Sequence, residues 1–255
     1  MTKISLKTAE EIKMMAEGGK KLSKIKAELA GAVKPGVTTL ELDNLAKDLI
    51  KQAGGKPSFA MVPGYRWATC ININDTVVHG IPNDTKIKKG DKVGIDVGIY
   101  YFGFHTDTST TTVANLKSQI PNPKIEKFLE IGRLALKRAI TQAKPGKRIA
   151  DISEAMQTTV EGGGYSVVRA LTGHGVGRQL HEDPAIPCFV VGDPNKSIKI
   201  IPGMVLAIEV MYNAGTSEVV YKNDDGWTIA TADGKISGLF EETVAVTQTG
   251  PVVLT

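Results

Sequence analysis

Gly90-Asp91-Lys92-Val93-Gly94-Ile95-Asp96-Val97 and Gly203-Met204-Val205-Leu206-Ala207-Ile208-Glu209-Val210 read as two copies of one strand. Each opens on a glycine turn, continues as a β-type apolar run, and carries a single acid inside that run. The two acids stand 113 residues apart, at 96 and 209. Working outward, Asp107-Thr108 precedes Thr110-Thr111-Thr112-Val113, and Glu241-Glu242 precedes Thr243-Val244-Ala245-Val246, so each half has a second acidic strand. Upstream, Lys34-Pro35-Gly36 recurs as Lys144-Pro145-Gly146. Each turn is flanked by helical spacing: Leu22, Ile25 and Leu29 before the first, Leu40, Leu42, Leu45, Leu49 and Ile50 after it. The second has Phe128, Ile131, Leu134 and Ala135 before it, and Ile149, Ile152, Ala155, Met156 and Val160 after. Gly54-Gly55 and Gly162-Gly163-Gly164 are the matching helix stops. His79-Gly80-Ile81-Pro82 echoes His181-Glu182-Asp183-Pro184.

Repetition at this period reveals architecture. Each half predicts helix, turn, helix and then antiparallel strands. The expectation is an α+β fold in which two pseudo-symmetric halves, about 1–117 and 124–255, form one catalytic domain spanning 1–255. Their strands would make one curved antiparallel sheet with helices over one face. Ser118-Gln119-Ile120-Pro121-Asn122-Pro123 would link the halves, its prolines stopping the last strand.

A chain of 255 residues with 42% hydrophobic and 23% charged residues suits a soluble globular protein. No run reaches the length of a membrane span. The lysine-rich start lacks an apolar block with a cleavage site, so a cytoplasmic protein is expected. Cys70 and Cys188, far apart in the chain, argue against a disulfide framework and a thiolate zinc site. The net charge of +4 could favour transient contact with an acidic partner such as the ribosome, or be only a solvated lysine face. Neither a membrane nor a specific nucleic acid is expected as partner.

A carboxylate in an apolar strand cannot stay charged and unpaired, because desolvation costs several kcal/mol. A buried salt bridge to lysine or arginine would answer that need, and so would a metal. Two symmetry-related acids, each with a second acid on a neighbouring strand, favour the metal. Asp96, Asp107, Glu209 and Glu241 with one imidazole make a hard, oxygen-rich set suited to two bridged divalent ions. Among the histidines at 79, 105, 174 and 181, His174 stands out in Thr172-Gly173-His174-Gly175-Val176-Gly177, where flanking glycines leave the ring open to an ion. The glycine spacing is not a dinucleotide fingerprint. His181 follows close enough to share a pocket with His174, and His105, on the tight turn after Gly103, reads as structural.

Several stretches together resemble type I methionine aminopeptidase over nearly the whole chain. They are His79-Gly80-Ile81-Pro82, Ile95-Asp96-Val97, Gly103-Phe104-His105-Thr106-Asp107-Thr108, Gly173 through Arg178, His181-Glu182-Asp183-Pro184, Ile208-Glu209, and Phe240-Glu241 with Thr243. The resemblance implies the pita-bread fold and removal of the initiator methionine from new proteins, by metal-activated water attack on the first peptide bond. It implies Asp96, Asp107, His174, Glu209 and Glu241 as ligands to two divalent ions, drawn from Co, Mn, Fe or Zn. Glu209 would also shuttle a proton, His181 would meet the carbonyl oxygen, and His79 would hold the scissile amide or the leaving nitrogen. Tyr65, Cys70 and Trp227, with Phe59, would form the methionine pocket, and Asn74, Thr76 and Ser237 a monovalent-cation site. No long second-half insertion and no preceding domain are seen, which favours type I over type II, Xaa-Pro aminopeptidases and prolidases. Four positions depart from the family's usual residues: Glu242 for histidine, Val210 for proline, Leu180 for an aromatic, and Val62 for tyrosine. The rivals are another aminopeptidase or Xaa-Pro dipeptidase of this fold, and a binding module without metals.

Overall fold

The computed structural model describes residues 4–114 and 122–255. The first half runs α1 (Ala9–Ala32), α2 (Thr39–Gln52), β1 (Lys56–Pro57), β2 (Thr69–Ile73), β3 (Thr76–Val78), β4 (Lys92–Tyr101) and β5 (Phe104–Val113). The second runs α3 (Pro123–Gln142), α4 (Ile149–Gly162), β6 (Ser166–Val167), β7 (Thr172–Gly175), β8 (Glu182–Pro187), β9 (Val205–Asn213), β10 (Val219–Tyr221), β11 (Ile229–Thr231), β12 (Ser237–Thr247) and β13 (Gly250–Val253). Local chemistry sets the helix starts. Thr8 with Glu11 and Thr38 with Glu41 close reciprocal caps on the first turns of α1 and α2. The repeated Lys-Pro-Gly turns both close on a left-handed glycine, Gly36 at φ 94° and Gly146 at φ 88°. Asn122 caps α3 and Pro123 sits in its first turn. Pro123 thus opens the helix expected after the linker; linker positions 118–121 lie outside the described residues.

The sheet carries the duplication. Its main path is β1-β4-β5-β12-β9-β7-β8, with β2 also on β4 and β6 on β9, so the two halves meet where β5 pairs β12. The isolated bridges Thr38–Lys86 and Arg148–Lys199 tie each Lys-Pro-Gly segment to the loop before its acidic strand in the same manner. One expectation is corrected here. The strands do not all join one sheet: β10, β11 and β3 form a separate three-stranded sheet across the halves. β2 is committed to β4, so β3 satisfies its backbone against β11, with Ala230 opposite Thr76 and Ile229 opposite Val78.

Register decides the faces. Asp96 lies opposite Ser109, Ser109 opposite Glu241, and Glu241 opposite Glu209. Directly opposed residues share a face, so a row of acids crosses four central strands, with Asp107 one pleat from Ser109. His174 lies opposite Ala207, two residues from Glu209, and Cys70 opposite Asp96, on that same face. The alternate residues face the helices: Lys26 of α1 donates to Thr108 (2.8 Å) and Glu242 (2.7 Å). Each half packs its own core between helices and sheet, around Leu22, Ile50, Ile95 and Ile99 in the first and Phe128, Met156, Tyr212 and Val244 in the second.

Candidate metal centre

Asp107 and Glu241 of the acid row are buried and Asp96 and Glu209 half-buried, and among the described residues none of them has a lysine or arginine partner. Among the described residues, the lysine and arginine ion pairs go to Glu11, Asp43, Asp75, Asp151, Glu161, Glu182, Asp233 and Glu242, and none to the four row acids. The salt-bridge alternative therefore fails. Ligand atoms of Asp107, His174 and Glu241 lie within 4.8 Å of one another. Nε2 of His174 is 3.9 Å from Oδ2 of Asp107. Asp96 and Asp107 lie within hydrogen-bonding reach of each other, yet Oδ1 of Asp96 is buried without a partner.

The electrostatics match a site built for positive charge. Burial, then the charges of Asp107 and Glu209, push Asp96 well above the usual carboxylate range. Burial, then Asp107, does the same to Glu209, and burial with Asp107, Glu209 and Asp96 to Glu241. Burial pushes Asp107 up to about 7. Without a cation these groups must take up protons. His174 is driven the other way, down to about 4, by burial and by His181, so its ring is neutral. Its Nδ1 is 2.8 Å from the carbonyl of Gly175. That contact assigns the proton to Nδ1 and leaves the Nε2 lone pair facing the acids. An orphaned carboxylate oxygen, clustered acids and a neutral imidazole are the donor set a hard divalent ion requires.

One cavity is lined by all five candidate ligands, by His79 and His181, and by Phe59, Tyr65, Cys70 and Trp227. The His181 ring centroid is 4.5 Å from that of His174. Burial and His181 lower the pKa of His79, and burial lowers that of His181. The Tyr65 hydroxyl donates to the Thr69 carbonyl (2.8 Å), and its ring packs edge-on to Trp227 at 5.1 Å. Val62 and Leu180, two of the departures, also line the cavity; Glu242 and Val210 lie on the helix side of the sheet, where Glu242 meets Lys26, Thr108 and Thr255. Val78 lines the cavity and was missed. Its only signal was its place directly before His79. His105 stays outside the cavity, its ring against the Ser58 hydroxyl and its N–H on the Gly177 carbonyl (2.7 Å). Of Asn74, Thr76 and Ser237, the first and last are joined, the Ser237 N–H donating to the Asn74 carbonyl (3.0 Å), while the Thr76 carbonyl accepts from Lys92 (3.1 Å).

A buried acid–imidazole cluster opening on an apolar pocket, carried by a duplicated α+β frame, defines a metal-dependent hydrolase. The chain belongs to metallopeptidase family M24, whose match spans residues 13–248. It is 44% identical over 253 residues to methionine aminopeptidase 1 of Bacillus subtilis (strain 168), covering 99% of each chain. It is 42% identical to the methionine aminopeptidase of Clostridium perfringens (strain 13 / Type A), over 99% of this chain and 98% of that one. The crystal structure of the Thermotoga maritima methionine aminopeptidase superposes with a TM-score of 0.93 at 38% identity, covering 99% of both chains. The architecture is the pita-bread fold. Among the described residues no helix is long and apolar enough to cross a membrane.

Proposed function

We propose that this chain is a methionine aminopeptidase, a metallo-hydrolase that removes the first methionine from the amino termini of nascent polypeptides. The observation that supports this reading is one cavity lined by the acid row, His174, His79, His181 and an apolar pocket. The whole chain acts as one catalytic domain, and Asp96, Asp107, His174, Glu209 and Glu241 hold two divalent ions, from among Mn, Fe, Co and Zn. Bound divalent ions supply an acidified water and a polarised carbonyl. The chain's own groups do the rest. Glu209 moves the proton toward the leaving amine. His181 donates to the carbonyl oxygen as charge develops on it. His79, across the cavity beside Trp227, holds the leaving nitrogen. Phe59, Tyr65, Cys70 and Trp227 enclose the methionine side chain. Contact with the ribosome would be transient and driven by the basic surface. The further cation implied at Asn74, Thr76 and Ser237 has a resident competitor in Lys92.

The test compares kcat/KM on Met-Ala-Ser, on peptides with another first residue, and on Xaa-Pro peptides, with each metal supplied anaerobically. Methionine should be strongly preferred and norleucine tolerated, because apolar contacts discriminate by only about 1–3 kcal/mol per methylene. Equal rates for methionine, alanine and lysine at the first position would remove initiator processing as the function.

A further inference from the structure

Lys92 lies at the start of β4 with 1% of its surface exposed. Both hydrogen-bond partners of its Nζ are main-chain carbonyls, Asn72 at 3.1 Å and Thr76 at 3.1 Å. These carbonyls sit on either side of the turn between β2 and β3. The other carbonyls of that turn are satisfied from elsewhere: Asn74 by the Ser237 N–H (3.0 Å) and Asp75 by the Thr231 N–H (2.9 Å). The duplicated frame shows what the strand position needs for packing. The counterpart of Lys92 in β9, 113 residues on, is Val205, also 1% exposed. An apolar side chain serves there, so packing does not call for a lysine. Burial draws Lys92 down to about 7 against the opposing pull of Asp75, so retaining an ammonium here carries a cost that valine avoids.

The turn leads into the catalytic cavity. β3 runs from Thr76 to Val78 and delivers His79, which holds a left-handed backbone at φ 58°. The next residue, Gly80, donates its N–H to Oδ1 of Asn72 at 2.9 Å. Asn72 is thus gripped twice, its carboxamide by the backbone beside His79 and its carbonyl by Lys92. We propose that the Lys92 ammonium is a built-in monovalent cation that clamps the Asn72 and Thr76 carbonyls and so positions His79, making the chain independent of potassium or sodium at this turn. Lys92 touches no substrate and acts through the loop, as a positioning residue. The effect on turnover rests on the aminopeptidase reading; the clamp itself does not.

The metal-loaded full chain and Lys92→Val, which supplies the residue found at the matching position of β9 and leaves the ammonium's place empty, are compared in KCl, NaCl and choline chloride at equal ionic strength. Both Met-Ala-Ser turnover and the thermal melting midpoint are read. The unaltered chain should give the same turnover and midpoint in all three salts. In choline, Lys92→Val should lose roughly 10–100-fold in kcat, as for a misplaced catalytic group, with a lowered midpoint. Potassium or sodium should restore both, because either ion can enter the vacated carbonyl clamp. Three results overturn the proposal: activation of the unaltered chain by potassium, an unimpaired Lys92→Val in choline, or a loss that no alkali cation rescues. If Lys92→Val does not fold, Lys92→Ala takes its place, and the salt response of the unaltered chain still decides. If neither protein cleaves the peptide, the aminopeptidase reading fails while the melting comparison continues to test the clamp.

Discussion

Replacing Asp107 by its uncharged isostere should stabilise the metal-free protein and destabilise the metal-loaded one. Asp107 is 4% exposed and burial raises it from 3.8 to about 7. The folded state thus holds a proton that the unfolded chain gives up. In the metal-free protein this group's contribution is fully present below pH 3.8 and is lost as pH rises through about 7. A rise of about three pH units at about 1.4 kcal/mol each puts the loss at pH 8 on the order of 4 kcal/mol. Asp107→Asn has no proton to lose. Its amide oxygen can still accept the Thr108 N–H that Oδ1 accepts at 2.9 Å. After chelation, urea denaturation should therefore show the variant as the more stable protein near pH 8 by up to that amount, with the gap closing near pH 4. Divalent metal should reverse the order. A ligand at a hundredfold excess over its Kd adds about 2.7 kcal/mol to the protein that binds it, and the variant gains little. A metal-free Asp107→Asn that is less stable than the parent by the same margin at both pH values would refute the reasoning, since Asp107 would then be stabilised by a protein partner rather than held for a cation.

Glu241→Ala should lose bound metal, read by elemental analysis, and orders of magnitude in turnover; full occupancy with normal turnover contradicts its role as a ligand. His181→Ala should cost about 10²–10³ in kcat with metal content intact, as for loss of one donor to a developing oxyanion. If it folds but emerges metal-free, His181 is a ligand. Tyr212→Phe, which removes the buried hydroxyl that donates to the Phe128 carbonyl at 2.6 Å, should cost about 0.5–1.5 kcal/mol in urea denaturation without altering metal content. No change in stability would mean that the carbonyl finds another donor.

Where the sequence was readable, the information was periodic or local. The helices announce themselves by apolar spacing and glycine stops, and the two acidic strands by one acid in an apolar run, so the duplicated frame follows without a structure. The four acids stood out because carboxylates in such strands need an explanation that few partners provide, and one cavity is lined by all four together with His174. The three-stranded sheet was not, because β3, β10 and β11 are three residues each and too short to show alternation. Lys92 drew no reading of its own: its partners lie 16 and 20 residues earlier, and only the folded turn brings their carbonyls to it. Glu242 looked like a change at the site, yet alternation along β12 sends it to Lys26 on the opposite face, at 2.7 Å.

The duplication supplies symmetry, and the chemistry comes from where symmetry breaks. Gly94 and Ala207 are equivalent positions on β4 and β9, and their cross-strand partners are Asn72 and His174. One half therefore offers an imidazole to the acid row at the place where the other offers a carboxamide. The carboxamide is turned to the backbone, accepting from Gly80 at 2.9 Å, and its main chain accepts from Lys92 at 3.1 Å. Two imidazoles would have given a site with equivalent ends. A single one makes the ends different, with nitrogen ligation available on the His174 side alone. On the Asn72 side the same position instead braces the turn that carries His79. The same position thus serves two ends in the two halves: on β9 its partner brings an imidazole to the acid row, and on β4 its partner braces the turn that carries His79.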